Sequence, residues 1–192
     1  GTEAQVRRLG SAGKPHVLMR VRVVGDDGSD VPKDNATPGE LWVKGDTVSP
    51  GYFRMEEETA ASRRDGWFLT GDIATIDEDD FVTIVDRKKD MIITGGINVF
   101  CTDVESAIYA HPSVAQCAVI GVPHPQWGEA IHACVVLRPG RNATAEELMA
   151  FAGERLASYK KPRSVDVLDA LPLGGTGKVL KRELRKRYWP ES

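Results

Sequence analysis

The sequence is short of cysteine, of long apolar runs and of surplus positive charge, and each shortage excludes a class of protein. Its three cysteines, Cys101, Cys117 and Cys134, are odd in number and far apart, so neither a disulfide framework nor a CxxC metal site is offered. Cys117 and Cys134 lie inside the apolar runs 114–120 and 133–137, where a free thiol packs as a small hydrophobe. No run approaches the roughly 20 apolar residues of a membrane span, and the polar start from Gly1 to Arg8 has no apolar centre of a secretory signal, so a cytoplasmic location is expected. With 25 Lys and Arg against 28 Asp and Glu, the net charge of −3 argues against nucleic acid as the main partner, because that binding needs many phosphates neutralised. His111, His124 and His132 show no metal-ligand grouping and read as loop or surface residues.

What is present is an ordinary globular composition, 41% hydrophobic and 28% charged, over 192 residues, which allows one domain or two small ones. The first 95 or so residues read as short strands closed by turns: 17–24 before Gly25-Asp26-Asp27-Gly28, then 40–45, 67–70 and 81–85. This pattern predicts a small β-barrel or distorted sheet. After the charged stretch Asp86-Arg87-Lys88-Lys89-Asp90 the pattern changes. Thr102 with Glu105 predicts a capping box for a helix through Ala110, which His111-Pro112 stops. Thr144 with Glu147 predicts a second one, for a helix through about Ala157. A strand over 164–168 and a helix over 179–188 complete a compact α+β unit.

One segment offers chemistry on its own terms. Leu171-Pro172-Leu173-Gly174-Gly175-Thr176-Gly177-Lys178 places a lysine on a glycine loop before the last helix, where loop amides and an ammonium can meet an anion together. It is not a phosphate loop of the G-x-x-x-x-G-K-S/T type, since Pro172 stands at the first glycine and Val179 at the hydroxyl position. A solvated lysine on a glycine turn is the alternative reading.

Four segments in order decide between these. Gly39-Glu40-Leu41-Trp42-Val43-Lys44-Gly45 with Gly51-Tyr52 fits a G-E-L…G…G-Y pattern, and Phe68-Leu69-Thr70-Gly71-Asp72 fits Y/F-x-T-G-D. Asp86 to Gly96, with Asn98, Val99 and Glu105 in register after it, fits a hinge segment, and Pro172 to Lys178 with Leu184-Arg185 fits P-x-x-x-T/S-G-K. In these four the chain resembles the adenylate-forming enzymes: acyl- and aryl-CoA synthetases, luciferases and peptide-synthetase adenylation domains. The resemblance covers nearly everything from Gly10 onward. It implies the β-rich end of a large domain at 1–86 and a mobile carboxy-terminal lid at 87–192, with the hinge near 87–90.

The resemblance also implies roles. Asp72 would accept hydrogen bonds from the ribose hydroxyls of ATP and Arg87 would contact the same nucleotide. Lys178 would bridge the substrate carboxylate and the α-phosphate, neutralising charge in the transition state. Lys89 would be the pivot about which the lid turns between two half-reactions, adenylation of a carboxylic acid and transfer of the acyl group to coenzyme A. Gly95 and Gly96 would let backbone approach the pantetheine arm, and Trp127, Tyr159, Lys160 and Lys161 would meet the nucleotide end of coenzyme A by stacking and charge. Thr2 and Glu3 fit the end of a Y-G-x-T-E segment that touches ATP and Mg²⁺, with Glu3 as the metal-side residue. ATP, Mg²⁺ and coenzyme A are therefore the expected cofactors, a small carboxylic acid of the fatty or aromatic kind the expected substrate, and a homo-oligomer is compatible with the sequence.

The sequence departs from the family pattern at Ile97, where many relatives have Glu, and at Cys101, where many have Pro or Ser. The segment that would hold the phosphates and the acyl pocket is expected upstream of Gly1, so the 192-residue chain alone is expected to be catalytically silent. A peptide-synthetase adenylation domain, a luciferase-like enzyme and a non-catalytic binding module are the competing classes.

Overall fold

In a computed structural model, residue 8 and residues 10–189 are described. The chain forms two compact units, the first ending at Lys89 and the second beginning at Asp90.

The first unit is an antiparallel, curled sheet of β1 (Met19–Val24), β2 (Gly39–Gly45), β3 (Arg63–Arg64), β4 (Trp67–Ile76) and β5 (Val82–Arg87), with one short helix, α1 (Glu56–Ala61). The sheet runs β1-β2-β4 and then forks, since β3 pairs with the start of β4 and β5 with its end. Alternation over 20–23 sets the faces of β1, and Val24 at its end is buried as well. Val21 and Val23 turn inward to join Leu41, Ala74, Ile76 and Val82 in a core, while Arg20 and Arg22 turn outward. The four expected strands are all present. The third runs on past Gly71 to Ile76, because the register between β2 and β4 shifts by a bulge beside Thr70 and Gly71 and the pairing then resumes. The helix α1 had no counterpart in the sequence reading: three consecutive glutamates and no buried residue give it no apolar stripe to detect.

The second unit is α+β. Its sheet contains β6 (Ile92–Thr94), β7 (Ile97–Val99), β8 (Val114–His124), β9 (Gly128–Leu137) and β10 (Ser164–Val167), with helices α2 (Cys101–Tyr109), α3 (Ala145–Gly153) and α4 (Lys181–Arg185). The central strand β9 pairs antiparallel with β8 along ten positions, from Val114↔Leu137 to His124↔Gly128, and parallel with β10. Both faces of this ribbon are covered. Cys117, Val119, Ile131, Ala133 and Val135 pack under Val104 and Ile108 of α2 and Leu148 and Ala152 of α3. Ala118, Ile120 and Cys134 pack on the other side under Leu171 and Leu184. Double coverage explains why 114–120 and 133–137 read as continuous apolar runs rather than alternating ones. All three cysteines are free and buried there, and the thiols of Cys117 and Cys134 are pushed up by burial.

Several local expectations need correction. The second capping box forms, with Thr144 Oγ1 accepting from the Glu147 N–H at 3.2 Å and Glu147 accepting from the Thr144 N–H at 2.8 Å. The first does not open α2. That helix starts at Cys101 with Phe100 as cap, and the Glu105 carboxylate instead accepts from the Val119 N–H at 2.8 Å and pairs with Lys181 at 2.8 Å. The helix α3 stops at Gly153 rather than near Ala157. The last helix is only five residues long, because Val179 bridges to Leu173 and belongs to the preceding hairpin. His132 is not a surface residue: it is 3% exposed within β9, its Nδ1 is 2.7 Å from Ser164 Oγ, and its ring packs 4.4 Å from that of Tyr188. No helix among the described residues is long and apolar enough to cross a membrane.

Candidate functional site

In the first unit, Asp72 and Arg87 are directly opposed across β4 and β5, and their side chains form an ion pair with Arg87 Nε 3.0 Å from Asp72 Oδ1. Asp72 follows the bulge at Thr70, whose hydroxyl donates to the Leu41 carbonyl at 2.8 Å and accepts from the Asp72 N–H at 3.1 Å. This clamp fixes where the carboxylate emerges. Its remaining lone pairs face outward, beside an arginine that is 55% exposed. An ionised carboxylate held in this way is an acceptor for vicinal hydroxyls. On the neighbouring turn, Lys88 pairs with Glu40 at 3.0 Å, whereas Lys89 is exposed in a single 3-10 turn, Lys88–Asp90, that contains the boundary between the two units.

In the second unit, Lys178 stands at the end of a tight hairpin. The Gly174 N–H donates to the Lys178 carbonyl at 2.8 Å, the Gly177 N–H to the Gly174 carbonyl at 2.9 Å, and the Leu180 N–H to the Pro172 carbonyl at 2.8 Å. The hairpin is fastened at both ends, by buried Leu171 before it and by α4 after it, where Leu184 is fully buried and Arg185 pairs with Asp90 at 3.1 Å. The lysine itself is exposed and makes no ion pair among the described residues. Three of its amides, those of Gly174, Gly177 and Leu180, close the hairpin, and the loop presents the Lys178 ammonium to solvent.

The glycines at 95 and 96 form the two-residue turn of the β6–β7 hairpin, with φ of +58° and +80°, the primed turn that a right-handed hairpin favours. That requirement alone accounts for both. A Cβ would meet only Trp127 at 3.8 Å on Gly95 and nothing within 4 Å on Gly96, so space is not what selects glycine here. The Gly95 N–H donates to the Trp127 carbonyl at 2.9 Å, joining the turn to the loop between β8 and β9.

Here the structure brings together residues far apart in sequence. Thr94, Gly95, Ile97, Trp127, Tyr159, Lys161 and Arg163 line one open pocket of about 290 Å³. Trp127 is stacked on His124, with centroids 4.3 Å apart and planes within 9°, and the Arg163 guanidinium lies 4.7 Å over its other face. Of the expected coenzyme-binding residues, Gly95, Trp127, Tyr159 and Lys161 thus share a site. Lys160 is turned away. Its ammonium donates to Asp103 at 2.6 Å, and that hydrogen bond holds it above its ordinary range. Arg163 was missed by sequence reading, and the available signal was a cation two residues beyond Lys161 in a segment whose N–H at Arg163 binds the Ile131 carbonyl of β9. Thr2 and Glu3 lie outside the described residues. No group of His, Cys, Asp and Glu among the described residues is placed to hold a metal.

Solved structures with this architecture include nucleotide-bound enzymes. ATP-bound MatB from Rhodopseudomonas palustris superposes with a TM-score of 0.87 at 39% identity, over 93% of this chain and 36% of that one. The o-succinylbenzoate CoA synthetase of Bacillus subtilis, in complex with its acyl-adenylate intermediate, gives 0.85 at 38% identity over 95% and 37%. Residues 103–178 match the AMP-binding enzyme C-terminal domain, and the chain carries the carboxy-terminal domain of that family of AMP-binding enzymes. Its homologues are AMP-forming acyl-CoA ligases. Among them, a feruloyl-CoA synthase from an Amycolatopsis species is 47% identical over 181 residues, 94% of this chain and 36% of the relative. The chain spans about a third of the length of the curated relatives it matches.

Proposed function

We propose that a protein containing this chain is an AMP-forming carboxylic acid:CoA ligase acting on a fatty or aromatic acid, and that the two units supply different parts of its machinery. The observation that carries this reading is the pocket of the second unit. Trp127 meets Tyr159, Lys161 and Arg163 there from a separate segment, and two aromatic rings beside two cations suit a nucleotide bearing phosphates. Coenzyme A has that chemistry at one end and a narrow pantetheine arm at the other, which the turn at Gly95 and Gly96 would border.

In the first half-reaction a carboxylate oxygen attacks the α-phosphorus of ATP, and the bond to pyrophosphate breaks. Asp72, backed by Arg87, would hold the ribose, and the Lys178 ammonium would neutralise charge building on the carboxylate and α-phosphate oxygens. Mg²⁺ would accompany the triphosphate and offset its charge. In the second, the thiolate of coenzyme A attacks the acyl carbon and AMP leaves as the better leaving group. Lys89 would be the pivot between the two steps. Support for two arrangements comes from MatB: over the same 93% of this chain its ATP-bound and apo forms match with TM-scores of 0.87 and 0.65, so that part of MatB differs between the two states.

The test is Lys178→Ala in the protein that contains this chain, assayed for each half-reaction separately. Adenylation should fall by about 10²–10³-fold, the scale of losing one electrostatic contact to the transition state, while thioester formation from supplied acyl-adenylate should persist. Equal loss in both steps would remove Lys178 from this role. The 192-residue chain assayed alongside should give no carboxylate-dependent pyrophosphate exchange, since Lys178 acts only on an α-phosphate held in place by other groups.

A further inference from the structure

The first unit carries a second concave site that the ligase reading does not use. A groove of about 540 Å³ opens at the end of β1 and β2, lined by Val17, Leu18, Arg20, Lys44, Val48 and Arg63 among others. Its volume is that of a small-molecule site. Arg20 and Lys44 are direct cross-strand partners, and like charges in that position repel. Elsewhere on the same strand the repulsion is answered: Arg22 is neutralised by Asp30, with Nε 2.6 Å from Oδ1. Arg20 has no ion-pair partner among the described residues, and the Lys44 ammonium has only the Asp65 carbonyl at 3.5 Å and the Trp67 ring, 5.9 Å below it. Arg63 donates to the Ser49 carbonyl, which is neutral. Against these three cations the groove holds one carboxylate, Asp46, and it pairs with none of them.

The apolar side of the groove is equally unprovided for. Val17 is 97% exposed and Leu18 56%, yet the segment is fixed. The Leu18 N–H donates to His16 Nδ1 at 3.2 Å, and the Leu18 carbonyl lies so close to Gly45 that a Cβ there would sit 2.1 Å from it. Two valine- and leucine-sized side chains held out to water next to unanswered cations match a ligand with an anionic head and an apolar portion.

We propose that this groove binds a phosphate-bearing ligand, the phosphate oxygens bridging Arg20, Lys44 and Arg63 and the apolar part lying against Val17, Leu18 and Val48. A phosphate dianion removes the repulsion between the paired cations and accepts the guanidinium and ammonium protons that have no carboxylate. The same chemistry is presented by a soluble phosphorylated compound and by the headgroup of an anionic lipid, and the experiment separates the two. It does not depend on Lys178, Asp72 or any half-reaction, so it stands or falls apart from the ligase reading.

The 192-residue chain is titrated with inorganic pyrophosphate by calorimetry and thermal unfolding, and sedimented with phosphatidylcholine vesicles with and without phosphatidic acid. Pyrophosphate should raise the unfolding midpoint and bind more weakly as salt increases. Arg20→Gln and Lys44→Gln should each weaken binding about tenfold, the effect of one charge-assisted contact. Arg22→Gln, on the same strand but already answered by Asp30, should leave it unchanged. Arg20→Gln should also be no less stable than the parent without anion, because it relieves a repulsion. Binding of pyrophosphate alone assigns a soluble ligand, and sedimentation only with phosphatidic acid vesicles assigns a lipid headgroup. The proposal is overturned if neither probe binds, or if Arg20→Gln, folded by circular dichroism, binds like the parent.

Discussion

The two units solve the problem of covering a sheet differently. The second covers both faces of the β8–β9 ribbon, with α2 and α3 on one side and Leu171 and α4 on the other, and most of its core side chains are sealed from water. The first packs one face around Val23, Ala74, Ile76 and Val82 and gives much of the other to arginine, lysine and tryptophan, with Arg22 and Arg64 lying 5.6 and 5.8 Å over the Trp42 ring. A unit sealed on both sides can move as a rigid body, because its side chains need no partner outside it. A unit with one dressed face is built to present groups, and the Asp72–Arg87 pair and the cationic groove are both carried by that sheet. The comparison teaches that a self-contained unit and a displaying one need different cores.

The largest effect should come from the boundary itself. Lys89→Pro fixes φ near −65° at the single exposed turn between the units. On the proposed ligase reading, in the protein that contains this chain it should block transfer to coenzyme A while pyrophosphate release continues. If both half-reactions survive, the units do not turn about this residue. Next comes the core of the second unit. Leu184→Ala removes a fully buried side chain and should destabilise that unit by about 2–5 kcal/mol, read as a lowered unfolding midpoint, while hydrogen exchange in β1 and β2 stays unchanged. Loss of protection in both units together would show that the second is not independent.

The smallest effect is a pH dependence confined to the second unit. Burial pulls the His132 imidazole below its ordinary value, and Asp166, 3.7 Å from Nε2, only partly opposes this. The unfolded chain therefore binds a proton that the folded one resists. The stability contribution is complete above the unfolded value near 6.5 and is lost as pH falls below it. The slope should be at most about 1.4 kcal/mol per pH unit, that of one proton, and His132→Gln should flatten it. An unchanged slope in the variant would assign the dependence to another group.

What was legible in the sequence was what local spacing controls. Thr144 and Glu147 form their box because both partners sit within one turn, and the four strands expected in the first unit, all but the two-residue β3, follow from short apolar runs closed by turn residues. What was hidden depends on distant partners. Glu105 looked like a capping residue until β8 supplied the Val119 N–H and α4 supplied Lys181. His132 looked like a surface residue because nothing local reveals that Ser164 and Tyr188 close over it. At the pocket beside Trp127, Lys160 and Lys161 are neighbours in sequence with opposite fates, one given to Asp103 and the other left on the pocket wall, while Arg163 enters only because β10 runs parallel to β9.

The ion pair between Arg185 and Asp90 joins the last helix to the first residue of the second unit. Mechanically it is a tie-rod. Asp90 closes the turn that holds Lys89, and Arg185 lies on the helix that fastens the Lys178 hairpin, so the rotation proposed at Lys89 would reach the hairpin through one side-chain link and one short helix. It need not pass through the sheet. Cutting the rod with Asp90→Asn would leave both ends folded and put slack between them.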